Sequence, residues 1–297
     1  MILPHLKTDN EKINIAFRIA VGDICSNICR FKDGILKEYS DVMLAGIGYS
    51  TPWTRDAAIN TWNGADLILP EVSKNTLLSV LKEDNGRVRI GGEYWDAIIW
   101  VTGAYNYWLC TGDDKFFEIM RSATINSIQY FEEKEFDEDI GLFCGGACFA
   151  DGISAYPDIY AKGDCRYISI ADNLPKRKNG VGISMHTLST NCLYYNAYVI
   201  AYKITGDDSY KIKAAGLKKS INNNFWNEKT GLYNYIIDKY GACCSSEGMG
   251  QSFAIIFNVA DEEKKKSIIK NQPLSKNGIP CLYPNFQRYA PYGTGRH

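Results

Sequence analysis

Ala104 to Asp114 reads AYNYWLCTGDD, and Ala197 to Asp208 reads AYVIAYKITGDD, with one extra residue ahead of the shared Thr-Gly-Asp-Asp. In both, an apolar-aromatic run at helical spacing ends on a glycine that can take the left-handed conformation just past a helix. The aspartates that follow can cap the next helix by accepting its free backbone N–H groups. The match continues after a second helical stretch of similar length, where Phe136-Asp-Glu-Asp-Ile-Gly-Leu-Phe143 parallels Trp226-Asn-Glu-Lys-Thr-Gly-Leu-Tyr233. The repeating unit is therefore helix, tight turn, helix, and an aromatic-acidic-glycine loop.

Working outward, helical periodicity is clearest at Tyr94 to Leu109, Phe116 to Phe131, Met185 to Ile204, Tyr210 to Phe225 and Phe253 to Val259. Short pieces such as Leu232 to Ile237 suit small hairpins between helices, and nothing suggests a central sheet. The chain reads as all-α. Stacked helical hairpins can form an open solenoid or a closed toroid. The repeat of roughly 90 residues exceeds the roughly 34 to 47 of common helical solenoids, and its glycine-rich loops suit an active-site rim, which favours the toroid. No linker divides residues 1–297, so a single domain is expected, with Asp172 to Gly180 as an exposed loop.

Bulk composition narrows the function. At 297 residues the chain can bury a large core without disulfides or metals. A formal net charge of −1 leaves no basic stripe for a phosphate backbone, so nucleic acid is not an expected partner. The first ten residues lack the pattern of a signal peptide and no apolar run has the length of a membrane span, which gives a cytoplasmic reading. Of the ten cysteines, Cys110 and Cys192 sit in apolar helical runs, Cys25 and Cys29 are four apart, Cys144 and Cys148 flank glycines, and Cys243 and Cys244 are adjacent. None has a second pair or a histidine at zinc-finger distance, so neither disulfides nor a structural metal is expected. Clustered acidic side chains are too few for calcium, and nothing suggests an organic cofactor. The 20 tyrosines and 6 tryptophans fit a polar ligand met by amphipathic rings.

Three clusters could carry chemistry. In Tyr49-Ser-Thr-Pro-Trp53-Thr54-Arg55-Asp56, Pro52 precedes a helical pattern and places Arg55 and Asp56 in its first turn. An Arg and an Asp can hydrogen-bond vicinal hydroxyls while a Trp stacks on a sugar face; a capping carboxylate beside a surface Arg is the alternative. The loop from Cys144 to Asp158 holds Asp151, Tyr156 and Asp158, and here a surface Asp-Gly turn competes with a catalytic acid. Glu247 follows the second repeat's Gly231-Leu232-Tyr233, so its loop corresponds to the one bearing Asp151 and faces the same rim; helix capping is its alternative role. His186 opens an apolar helical run and reads as a hydrogen-bonded core residue, as do Tyr194, Tyr195, Tyr198 and Tyr202.

Trp53-Thr54-Arg55-Asp56 resembles the Trp-Thr-Arg-Asp helix start of glucoamylases and their six-hairpin relatives. Gly91-Gly92-Glu93-Tyr94-Trp95-Asp96 is similar to the Tyr-Trp-Asp segment of trehalases and processing α-glucosidases. The resemblance implies an (α/α)6 toroid and inverting hydrolysis of a terminal α-linked sugar, an α-glucoside first of all. Trp53, Arg55, Asp56, Glu93, Tyr94, Trp95, Asp96 and Tyr156 would then bind an oligosaccharide or small glycoside. It also implies Asp151 as the general acid, with Asp158 as competitor because the loop departs from the family's Gly-x-Asp-x-x-Pro pattern. Inversion needs a second carboxylate roughly 6.5–9.5 Å away to activate water, and Glu247 is the candidate present. The sequence yields about nine helical segments, fewer than six full hairpins, so the resemblance also implies that the last helices, and with them another candidate base, lie beyond His297. A carbohydrate-binding toroid without a base is the competing reading. Sugar epimerases on similar toroids use histidine bases, and this chain has only three histidines.

Overall fold

Each Thr-Gly-Asp-Asp turn forms as its chemistry requires. In the computed structural model, which describes residues 3–92, 95–148, 156–157 and 184–284, Gly112 and Gly206 have φ of 65° and 72°. Both are left-handed and both close the preceding helix by donating to a carbonyl four residues back. Asp113 then accepts from the Phe116 N–H at 3.0 Å and Asp207 from the Ser209 N–H at 2.9 Å, starting the next helix.

The described chain forms two compact units, one of residues up to 93 and 97–128, the other of residues 94–96 and those from 129 on. Unit one holds α1 (Glu11–Ser26), α2 (Thr54–Asn60), α3 (Asp66–Ile68), α4 (Pro70–Ser79), α5 (Trp100–Thr111) and the first part of α6 (Asp114–Glu135). Its strands are two antiparallel hairpins, β1 (Ile28–Phe31) with β2 (Ser40–Met43) and β3 (Leu81–Asp84) with β4 (Arg87–Ile90). A kink at Asn63 and Gly64, the latter with φ of 114°, joins α2 to α3 within Thr61–Ala65. Helices α2 and α5 pack closely because Gly103 has no side chain: a Cβ there would lie 2.6 Å from the Ala58 Cα. The Trp100 indole donates to the Leu77 carbonyl at 3.0 Å, tying α5 to α4 in a core that includes Ala57, Ala58, Val101 and Ala104.

Unit two contains the end of α6, then α7 (Leu188–Thr205), α8 (Asp208–Phe225), α9 (Gly248–Ile256) and α10 (Glu262–Asn271). The two aromatic-acidic-glycine loops are hairpins, β5 (Phe136–Asp137) with β6 (Leu142–Phe143) and β8 (Trp226–Asn227) with β9 (Leu232–Tyr233). Their likeness extends to atoms. Phe136 and Phe143 meet edge to face at 5.0 Å, as do Trp226 and Tyr233. A buried side-chain amide from the following helix then acts as an extra strand on each: Asn191 accepts from Phe143 N–H at 2.8 Å and donates to its carbonyl at 3.0 Å, while Gln251 does the same for Tyr233 at 3.2 and 2.7 Å. Strand β7 (His186–Thr187), β10 (Ile236–Asp238) and β11 (Gly241–Cys243) form a small antiparallel sheet in the order β11-β10-β7, and β12 (Ser246–Glu247) pairs with β13 (Leu282–Tyr283).

The expected helices are present with shifted starts. Trp95 and Asp96 lie in a turn ahead of α5, and α9 begins at Gly248 rather than Phe253. Among the described residues no cysteine is in a disulfide, and no helix is long and apolar enough to cross a membrane. The Asp172 to Gly180 loop lies outside the described residues.

Candidate functional site

The expected sugar grip in unit one is a helix start. Trp53 is the N-cap of α2 in extended conformation, 46% exposed, with the Tyr49 ring 6.5 Å away edge to face. Thr54 is buried and donates to the Gly91 carbonyl at 3.0 Å, fixing the helix mouth against the segment after β4. Arg55 and Asp56 are half-buried in the first turn, as the position of Pro52 requires. An exposed indole beside a half-buried Arg and Asp is able to stack on a ring face and bind hydroxyls.

Glu93 and Tyr94 lie outside the described residues, as do Asp151 and Asp158. Trp95 and Asp96 are buried in unit two, at 2% and 4% exposure. Tyr156 is fully buried, its hydroxyl accepting from the Ala147 N–H at 2.9 Å and its ring 6.1 Å from that of Tyr235.

The loop after β6 is held by hydroxyl groups at the start of α7. Thr187 and Thr190 donate to the Gly146 carbonyl at 2.9 and 2.7 Å, and Ser189 Oγ accepts from the Cys148 N–H at 2.9 Å. Gly145 packs on Trp95, where a Cβ would come within 2.7 Å of the tryptophan Cβ. The Ser189 backbone N–H donates in turn to Glu247 Oε2 at 3.2 Å. One residue thus links Glu247 to Cys148, which precedes Asp151 by three positions in the chain. None of these hydroxyl residues was marked by the sequence, because their partners come from loops more than 40 residues away.

Glu247 is the centre of this arrangement. It occupies the N-cap position of α9, yet its side chain caps no N–H of that helix, so the capping role does not hold. The carboxyl is buried, Oε2 meets the Ser189 N–H, and Oε1 has no hydrogen-bond partner among the described residues. Gly250 makes the space for it, since a Cβ there would sit 2.6 Å from Oε2. Burial pushes the Glu247 carboxyl up from an ordinary 4.5 to about 8, against the opposing effect of hydrogen bonding to Ser189. At neutral pH the group is therefore an acid holding its proton. Its charged form would also raise Cys192, Cys281 and Tyr235, whose own pKa values are pushed up mainly by burial.

A second feature of unit two, a groove of about 700 Å³ along α6 and α8, contains none of the expected site residues. Within it Glu132 accepts from the Tyr198 hydroxyl and from Lys213, both at 2.7 Å, so its polar groups satisfy one another.

By sequence, the chain matches no protein-family model and no curated protein. Solved structures resemble it in fold. A rhamnosidase from Klebsiella oxytoca with rhamnose bound aligns with a TM-score of 0.58 at 11% identity, over 92% of this chain and 50% of that one. The neutral trehalase of Saccharomyces cerevisiae gives 0.58 at 9% identity, over 89% and 62%. A sugar epimerase from a ruminal bacterium gives 0.55 at 12% identity, over 89% and 72%. The chain spans about half the length of the rhamnosidase it matches. Such identities carry fold and not activity, and the fold, helical hairpins with short strands between them, is of the (α/α)6 toroid class.

Proposed function

We propose that the chain belongs to a carbohydrate-active enzyme, a glycoside hydrolase that cleaves a terminal α-linked sugar with inversion, an α-glucoside first of all. The observation that carries this reading is Glu247: a buried carboxyl pushed up to about 8, with one oxygen unpartnered among the described residues, tied through Ser189 to the loop that leads to Asp151. Glycosidic cleavage needs a carboxylic acid that still holds its proton near neutral pH and a second carboxyl, ionised, to activate water. The environment of Glu247 suits the first task. Asp151, to which the family resemblance gives the acid role, then serves as its partner. Trp53, Arg55 and Asp56 are proposed to hold the nonreducing sugar, and Glu93, Tyr94, Trp95, Asp96 and Tyr156 are proposed as further sugar-binding residues. The names of the structural relatives, a rhamnosidase, a trehalase and a sugar epimerase, support a sugar as substrate.

The test is hydrolysis of aryl α-glycosides and α-linked disaccharides by the chain and by its Glu247→Gln and Asp151→Asn variants, with the released anomer followed by NMR. Release of the β-anomer, reduced at least about 10²-fold in either variant, is expected. The kcat/KM of the wild type should fall as pH rises through about 8, where Glu247 loses its proton, and this limb should vanish in Glu247→Gln. Sugar binding without turnover in any variant would replace the hydrolase with a binding toroid.

A further inference from the structure

The two repeats differ at one place in a chemically pointed way. Asn227 and Asn234 flank the second hairpin, and Asn227 Nδ2 donates to Asn234 Oδ1 at 3.0 Å, so the pair satisfies itself. Ninety residues earlier the same two places hold Asp137 and Cys144, and a third group joins them. His186 Nε2 lies 3.1 Å from Asp137 Oδ2 and 3.4 Å from Cys144 Sγ. The other ring nitrogen, Nδ1, lies 3.3 Å from the Ile237 carbonyl oxygen, which can only accept. With the neutral ring's proton on Nδ1, the lone pair of Nε2 faces a carboxylate oxygen and a sulfur. Three possible metal-ligand atoms thus converge, two of them on buried residues.

We propose that Asp137, Cys144 and His186 are ligands of a divalent transition-metal ion, with Zn²⁺ the best fit. With tetrahedral angles and ordinary zinc bond lengths, the N···O edge is about 3.3 Å and the N···S edge about 3.6 Å. The observed edges differ from these by about 0.2 Å, and all three donor atoms lie within 4.8 Å of one another. A ligating histidine characteristically donates its other N–H to a backbone carbonyl, which fixes ring orientation and tautomer; the Ile237 carbonyl is placed to accept it here. One thiolate, one imidazole and one carboxylate select zinc or its cobalt analogue over calcium or magnesium, which take oxygen ligands. Asp137 remains 31% exposed and gives the ion a way in. Within unit two the ion would staple the β5–β6 hairpin to β7, beside the loop that Ser189 holds. The site stands independently of the carbohydrate reading.

The experiment uses the full chain, purified without chelator and assayed for bound metal, then stripped and titrated with Co²⁺. About one ion per chain is expected, with a near-ultraviolet thiolate-to-cobalt charge-transfer band that saturates at one equivalent and a rise in Tm on adding Zn²⁺. The decisive variant is Asp137→Asn with Cys144→Asn, which copies the self-satisfied pair of the second repeat and should fold. It should carry no ion, show no charge-transfer band and gain no Tm from Zn²⁺. A folded wild-type chain that binds neither Zn²⁺ nor Co²⁺ would overturn the proposal, as would a charge-transfer band that persists in the double variant. If the double variant does not fold, Cys144→Ser alone decides, because loss of the sulfur must abolish the band.

Discussion

A carboxyl group that keeps its proton at pH 7 couples folding to pH, and Glu247 is such a group. Its pKa is about 8 in the folded chain against an ordinary 4.5, so between those values the native state holds a proton that the unfolded chain has released. Stability therefore falls as pH rises through this window, with a slope of about 1.4 kcal/mol per pH unit from this one residue. Below pH 4.5 the contribution is fully present, and above pH 8 it is lost. Glu247→Gln keeps the shape and cannot ionise. Urea denaturation between pH 5 and pH 8.5 should show the variant with a flatter profile and, at the alkaline end, a higher midpoint than the wild type. Equal slopes in both proteins would mean that Glu247 is ionised when folded. The residue type and its place after the second repeat were legible in the sequence. Its burial was not, because Leu188, Gly250 and the β12–β13 pairing that enclose it come together only in the tertiary structure.

At the scale of elements, turn chemistry transferred from sequence to structure because it is local: Gly112, Asp113, Gly206 and Asp207 each act within four residues. The start of α9 did not, since Gly248 and Gly250 argue against a helix by propensity. Gly250 is tolerated there because the Glu247 carboxyl and the Leu188 side chain occupy the space a larger residue would need. The amide clamps were equally hidden. Asn191 and Gln251 differ in length and reach hairpins 48 and 18 residues away, so no spacing rule links them. Each satisfies two buried backbone groups that water cannot reach. Replacing Asn191 with Leu leaves the Phe143 N–H and carbonyl without the amide, at roughly 1–3 kcal/mol for each buried group. A loss of about 3 kcal/mol is expected, read as a lower urea midpoint with unchanged m. A loss below about 0.5 kcal/mol would show that the hairpin does not depend on its clamp.

At the scale of the whole molecule, charge distribution decides what kind of ligand the surface can draw in. Lysines and arginines pair with nearby acids along exposed helix faces, as in Lys264 with Asp261, Lys265 with Glu262, Lys266 with Glu263 and Arg121 with Glu118. Such pairs add little stability and cancel one another at a distance, which the formal net charge of −1 already indicated. The sequence exposed this near-balance of charge. It did not expose the Asp137, Cys144 and His186 cluster, whose members are 7 and 42 residues apart and match no ligand motif. Recognition of a neutral sugar through stacking and hydroxyl contacts releases no counterions, so its affinity should hardly depend on ionic strength. Calorimetric titration with whichever glycoside the hydrolysis panel selects should give Kd values that agree within about twofold between 0.05 and 0.5 M NaCl, whereas a ligand neutralised at several charged contacts would lose several orders of magnitude. A loss of tenfold or more would move the substrate from neutral sugars to acidic ones and make Arg55 a counter-ion for a carboxylate instead of a donor to hydroxyls.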